Sequence, residues 1–214
     1  MQINILTLFP DFFSSALQTS ILKRAQSKDL VQLKLVNLRD FTTDKHHTTD
    51  QRPFGGGPGM VLMVEPIDRA LASLGVAKGQ PGKLIVLTSA KGELFQQANA
   101  QTWSQLEELT IICGHYEGVD ERVAEHLVDQ EVRIGDYVLT GGEPAALVML
   151  DATVRLLTGV LGNPASNAGE SHSQPGFFAH PQYTQPRDYK GWSVPEVLLS
   201  GDHQKIEEWR RGNE

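Results

Sequence analysis

A single cysteine, Cys113, stands in the 214 residues, so no intramolecular disulfide and no multi-cysteine zinc centre can form. It lies in the apolar run LTIICG, where a free thiol packs as a small hydrophobe, and a reducing, cytoplasmic location is expected. The histidines are scattered without H-E-x-x-H spacing, which gives no metal site to predict, and the residues carry no signal for or against Mg²⁺. No stretch reaches the roughly 20 apolar residues of a membrane span. The N-terminus, MQINILTLFPDFF, lacks a basic segment ahead of an apolar core, so a soluble chain with its own initiator Met and no membrane partner is expected. Excess positive charge is also missing. With a net charge of −7, affinity for nucleic acid cannot come from bulk electrostatics and has to come from local patches, such as Lys45, His46 and His47 with Arg52, or Arg187 with Lys190. Neither G-x-G-x-x-G nor G-x-x-x-x-G-K-[ST] occurs, which removes support for classical dinucleotide and P-loop sites.

What is present is a series of strand-like apolar runs at residues 3–9, 31–38, 83–89, 109–114 and 132–140. Several are nearly continuous, the pattern of strands buried on both faces. Helix-length patterns fall between them at 13–27, 66–74, 94–106 and 119–127, with a further helix after Gly142 whose apolar stripe is Leu147, Leu150, Val154 and Leu157. The alternation predicts an α/β fold, a mostly parallel sheet with helices on both faces. From Gly159 to Trp192 the sequence is rich in Gly, Pro, Ser, Asn and Gln and has neither period. A helical pattern then restarts, with Asp202 as its N-cap. The expected organisation is a main domain over 1–160, a flexible loop over 161–192 and a small helical region over 193–214.

Three of the apolar runs end in glycine-bearing turns: TSAKG (Thr88 to Gly92), CGHYEG (Cys113 to Gly118) and LTGGE (Leu139 to Glu143). In a parallel sheet the carboxyl ends of strands face one crevice, and bare backbone there can read an adenine and ribose through N–H and C=O groups. For any one turn, glycine serves as well to make a tight connection; three together favour a site. The cluster DQRPFGGGPGM (Asp50 to Met60) has the composition of a flexible loop, without the Lys and Ser/Thr of a phosphate cradle. Asp151 and Arg155, spaced i,i+4, read by composition as a surface ion pair.

The segments RDFTTDKH (Arg39 to His46), RPFGGGPGM (Arg52 to Met60), CGHYEGVDERV (Cys113 to Val123) and IGDYVLTGGEPA (Ile134 to Ala145) closely resemble the bacterial tRNA (guanine-N1-)-methyltransferases of the SPOUT class, in register from the first strand to about Arg210. That resemblance implies a trefoil-knotted domain holding S-adenosyl-L-methionine in the knot, near 87–142, and an active site shared across a homodimer. It maps the cofactor contacts onto Leu87, Ser89 and Ala90 in the first turn and Gly114, Tyr116, Glu117 and Gly118 in the second. Ile134, Gly135, Tyr137, Leu139, Gly141 and Gly142 complete the pocket. It assigns Arg155 to stabilise charge on the acceptor base, Pro58 and Gly59 to cradle the guanine, and the general base to Glu170, where the family carries an aspartate. The acceptor it implies is N1 of the guanosine immediately 3′ of the tRNA anticodon.

The sequence departs from the family at particular points. Glu170 is one methylene longer than the aspartate, and it is the only carboxylate between Gly159 and Arg187. His115 and Gln51 stand where an arginine and an aspartate are usual, and 163–176 matches poorly. The family also continues past the helix holding Arg210 and Arg211 into basic helical sequence that grips tRNA, so a weaker hold on tRNA is expected here. Two other functions stay open at this level: a paralogue methylating another RNA or a small molecule, and a cofactor- or RNA-binding protein without turnover.

Overall fold

The computed structural model describes residues 1–162 and 169–212 and divides into two compact units, Met1–Pro164 and Ala165–Glu214. The part of the expected loop at 163–168 lies outside the described residues.

The first unit runs β1 (Gln2–Thr7), α1 (Ser14–Leu17), α2 (Ser20–Ser27), β2 (Gln32–Asn37), β3 (Asp50–Gln51), β4 (Val61–Leu62), α3 (Val64–Leu74), β5 (Lys83–Leu94), α4 (Gln97–Trp103), β6 (Glu108–Ile112), β7 (Gln130–Arg133) and α5 (Glu143–Val154). Five strands form one sheet in the order β2-β1-β6-β5-β7, and every neighbouring pair is parallel. The strands are buried on both sides because their alternate residues feed two cores. Ile3, Ile5, Val86, Leu109 and Ile111 pack with residues of α2, α4 and α5 on one face. Leu6, Ile85, Leu87 and Ile112 pack with Ile67, Ala70 and Leu71 of α3 on the other. Polar positions inside the sheet are paired: Asn4 donates to the Glu108 carboxylate at 2.8 Å and to the Thr110 hydroxyl at 3.1 Å.

Local chemistry explains the helix ends. α3 stops at Gly75, whose φ of 68° is the left-handed C-cap conformation. α5 starts with Glu143 and Pro144 in its first turn, a carboxylate at the positive end of the helix dipole and an imide that lacks only a donor the helix does not need.

Several expected elements are shorter or broken. The helix expected over 13–27 is interrupted between α1 and α2, and the one over 119–127 is reduced to a single wide turn at Val123–Leu127. The one over 94–106 shrinks to α4 because β5 runs on to Leu94. The strand expected over 132–140 ends at Arg133; beyond it, Tyr137 to Thr140 are exposed rather than paired in the sheet. In the second unit, where neither period was expected before Trp192, a hairpin forms from β8 (Asp188–Tyr189) and β9 (Trp192–Ser193), followed by α6 (Glu196–Leu199) and α7 (His203–Arg211). Asp202 caps α7, accepting from the Lys205 amide at 3.2 Å.

One irregularity of the sheet has a steric consequence. Both Thr88 and Glu93 of β5 sit opposite Val132 of β7, so residues 89–92 bulge out of the ladder and rejoin it. At Gly92 an added Cβ would collide with the main chain of Glu131 and Val132. Gly92→Ala is therefore expected to destabilise the protein by on the order of 3 kcal/mol, as overpacking against backbone that cannot yield. Gly162→Ala, whose Cβ meets nothing within 4 Å, is the control and should leave the urea midpoint unchanged.

Candidate active site

β6, β5 and β7 are neighbours in the sheet, and the bulge of β5 at 88–92 converges with the segments that follow β6 and β7, 113–118 and 134–142. Main-chain groups and one hydroxyl tie them together. The Thr88 hydroxyl donates to the Ile112 carbonyl at 3.2 Å and accepts from the Gly114 amide at 2.9 Å; the Gly142 amide donates to the Gly114 carbonyl at 2.8 Å. Side chains have no room at these crossings. A Cβ on Gly114 would lie 2.9 Å from the Thr88 carbonyl oxygen, and one on Gly142 would lie 2.8 Å from the Gly114 nitrogen.

The converging segments enclose a cavity of about 440 Å³, within the range of small-molecule sites. Its wall includes Leu87, Ser89 and Ala90 from the first segment and Gly114, Tyr116, Glu117 and Gly118 from the second. Ile134, Gly135, Tyr137, Leu139, Gly141 and Gly142 from the third complete it, so every position mapped to the cofactor lines one space. Residues that sequence reasoning did not single out line it too: Thr88, Lys91, Glu121, Glu131 and Arg133. His115 also lines the wall; its ring lies 4.9 Å from Phe9 and 4.8 Å from Tyr116, and its buried Nδ1 has no hydrogen-bond partner.

Tyr116 adopts φ 61°, a left-handed conformation rare outside glycine, which sets its ring on the rim where it stays 39% exposed. Partial burial, then a hydrogen bond to Asp50, pushes its phenol above the usual tyrosine range, with Arg39 acting the other way. Lys91 bonds Glu121 at 2.6 Å and approaches Glu131 at 3.7 Å, and the Glu121 bond raises its ammonium pKa. Among the charged wall residues the carboxylates of Glu117, Glu121 and Glu131 outnumber the cations of Lys91 and Arg133, and Arg133 is itself paired with Asp136 at 2.9 Å. Such a wall suits a ligand with bare-backbone recognition of its base and a positive charge of its own.

The glycine cluster is less free than its composition suggests. Although 54–59 are exposed, the Glu117 amide donates to the Met60 carbonyl at 3.0 Å, the Leu62 amide to the Gly118 carbonyl at 2.9 Å and the Asp120 amide to the Leu62 carbonyl at 2.9 Å. Gly59, at φ 75°, has Glu117 where its Cβ would be, with Oε1 2.6 Å away. The loop carrying Pro58 and Gly59 is thus anchored to the second cavity segment, though neither residue lines the cavity. Arg155 follows directly on α5 as its C-cap, partly buried and outside the cavity wall. Glu170 belongs to the second unit, where its carbonyl accepts from the Ser173 amide at 3.0 Å.

Behind the third segment lies Glu143, 4% exposed, which accepts from the Thr7 hydroxyl at 2.7 Å. Thr7 also accepts from the Phe9 amide at 2.9 Å, so one hydroxyl links β1 to the start of α5. No sequence signal joins residues 136 positions apart. Among the described residues there is no group of three or more His, Cys, Asp or Glu side chains placed to hold a metal ion, and no helix long and apolar enough to cross a membrane.

Sheet and cavity together define an α/β protein with a cavity of small-molecule size at the carboxyl edge of a parallel sheet. The family model described as tRNA (Guanine-1)-methyltransferase TrmD matches residues 1–214, and the chain belongs to that family of methyltransferases. It is 51% identical over 210 residues to proteins named tRNA (guanine-N(1)-)-methyltransferase from Bacillus cereus (strain AH820), Bacillus anthracis (strain A0248) and Bacillus thuringiensis subsp. konkukian (strain 97-27). In each case the match covers 98% of this chain and 85% of the relative.

Cys113 closes β6 beneath the cavity, where burial, reinforced by the negative charge of Glu143, pushes its thiol well above the usual range. The unfolded thiol ionises near pH 8.5 and the folded one only at higher pH. Its contribution to stability is therefore complete below about pH 8.5, and is lost by about 1.4 kcal/mol per pH unit as pH rises toward the folded value. Urea unfolding between pH 7 and 10 should show that extra decline in the wild type and its absence in Cys113→Ala; identical pH profiles would contradict it.

Proposed function

We propose that this chain transfers a methyl group from S-adenosyl-L-methionine to N1 of the guanosine immediately 3′ of the tRNA anticodon. The observation that carries the reading is the single cavity walled by Leu87 to Ala90, Gly114 to Gly118 and Ile134 to Gly142, in a chain whose close relatives are named for guanine-N1 methylation of tRNA. The fit to the cofactor rests on three backbone segments too tightly crossed for side chains, which leave N–H and C=O groups for an adenosine, and on a wall with excess carboxylate for a sulfonium. When bound, adenosylmethionine supplies the electrophilic methyl and leaves as the neutral thioether.

Guanine N1 carries a proton at neutral pH, so the nitrogen becomes nucleophilic only as a base removes it. Glu170 takes that proton on its carboxylate. The new N–C bond forms as the C–S bond breaks, and the charge that gathers on the guanine O6 is met by the Arg155 guanidinium. Pro58 and Gly59 hold the guanine, a role supported by the hydrogen bonds from 60–62 to 116–120 that tie their loop to the second cavity segment.

The same reading includes a homodimer, for which the exposed Phe9 and Phe12 and the 47% exposed Val148 on α5 offer apolar surface. It includes the family's knot, which the resemblance implies for residues near 87–142. It also includes a transfer scaffold over 1–160, a loop over 161–192 at whose end the β8–β9 hairpin forms, and a small helical region over 193–214, with the cytoplasm as the compartment.

Transfer of a labelled methyl group to tRNA transcripts with guanosine, but not adenosine, at that position is the expected result; labelling of both or neither would overturn the acceptor. Glu170→Gln should lower kcat by at least 10²-fold with the adenosylmethionine Kd unchanged. Arg155→Ala should cost on the order of 10² in kcat. Full turnover by Glu170→Gln would remove that residue from its role.

A further inference from the structure

The β8–β9 hairpin takes no part in the transfer described above. Its two-residue turn, Lys190-Gly191, has positive φ at both positions, 56° and 84°, the sense that matches the twist of the flanking strands. Asp188 locks the turn: one carboxylate oxygen accepts from the Gly191 amide at 3.0 Å and the other from the Ser193 hydroxyl at 2.7 Å. These bonds hold the Asp188 carboxyl below the usual carboxylate range. Asp188 faces Ser193 and Tyr189 faces Trp192, and the Val194 amide donating to the Arg187 carbonyl at 2.9 Å carries the ladder one step further.

Because side chains alternate along a strand, Arg187, Tyr189, Trp192 and Val194 share one face while Asp188 and Ser193 point to the other. The front face therefore carries aromatic rings and cations, and the hairpin's carboxylate sits on the back, already engaged. The Tyr189 and Trp192 rings lie 5.7 Å apart at 60°, and the Lys190 ammonium is 5.3 Å from the Tyr189 centroid. Residues 181–193 are all exposed, Trp192 to 73%.

We infer that this face binds unpaired nucleotides of the tRNA substrate, with bases stacking on Trp192 and Tyr189 and the flanking phosphates meeting Arg187 and Lys190. The inference rests on the reading of tRNA as substrate. Flat rings accept any base, and cations beside them draw the backbone, the combination used on single-stranded nucleic acid. In a chain of net charge −7, affinity for RNA has to come from local cations, and on this face Arg187 and Lys190 stand with the Asp188 carboxylate turned to the other side. A second copy of the chain is a poorer occupant, since a two-fold contact through this face would set its cations against themselves.

The test is tRNA affinity of the full-length chain across a salt series, beside adenosylmethionine affinity by calorimetry. Trp192→Ala should weaken tRNA binding about tenfold and raise KM for tRNA without changing kcat, while Trp192→Phe retains most of the affinity. The double change Arg187→Gln with Lys190→Gln should flatten the slope of log K against log[salt] by one to two. Adenosylmethionine affinity should stay constant in all of them, which separates a local contact from misfolding. If the wild type methylates tRNA and these variants bind it with unchanged affinity and slope, the inference falls and the substrate reading stands. Loss of dimer in sedimentation with tRNA affinity unchanged would likewise overturn it in favour of a protein contact. If the wild type neither binds nor methylates tRNA, the substrate reading falls and takes this inference with it.

Discussion

Backbone packed directly on backbone at the carboxyl edge of the sheet is the constraint on which the rest of the structure depends. Gly92 lies against the main chain of Glu131 and Val132, Gly114 against the Thr88 carbonyl, and Gly142 against the Gly114 amide and the Cys113 Cα. Each crossing removes a Cβ near the edge where three adjacent parallel strands meet the cavity, and on the proposed function the amides and carbonyls that remain are the recognition surface. The Thr88 hydroxyl ties the first segment to the second through Ile112 and Gly114, and the bond from the Gly142 amide to the Gly114 carbonyl ties the second to the third. A cavity lined in this way discriminates by shape and hydrogen bonding and needs no phosphate motif, consistent with a donor that carries no phosphate.

Much of this was legible in the sequence. Continuous apolar runs gave the buried parallel strands, because residues such as Ile85 and Val86 go to opposite cores. The glycine turns after them marked the edge where the cavity lies. The run from Ile134 to Thr140 misled for a physical reason: its apolar side chains face the cavity and solvent, so a strand-like composition serves a ligand wall instead of a sheet. The hairpin at 188–193 escaped because strands of two residues have no period to detect, although the glycine at its turn was present. The bond from Thr7 to Glu143 joins positions no local pattern connects. The anchoring of the Gly55–Gly59 loop depends on main-chain bonds between 60–62 and 116–120, to which composition is blind.

Electrostatics divides the work between surfaces of opposite character. The cavity wall carries more carboxylate than cation, as suits the sulfonium of the proposed donor, whereas the RNA contact proposed for the front of the hairpin relies on local cations, with the Asp188 carboxylate turned to the other face and engaged by the Gly191 amide and the Ser193 hydroxyl. Buried charge is handled the same way elsewhere. Glu143 sits at a helix N-terminus with the Thr7 hydroxyl on one oxygen, so a fully desolvated carboxylate is held by the dipole and a donor.

The central claim is that main-chain groups of the three edge segments grasp the methyl donor. Amide hydrogen exchange of the wild-type protein with and without adenosylmethionine measures this most directly. Slowed exchange confined to peptides spanning 88–92, 113–118 and 134–142 is the expected result. Unchanged exchange in those segments at saturating cofactor, or protection centred elsewhere in the chain, would contradict the account.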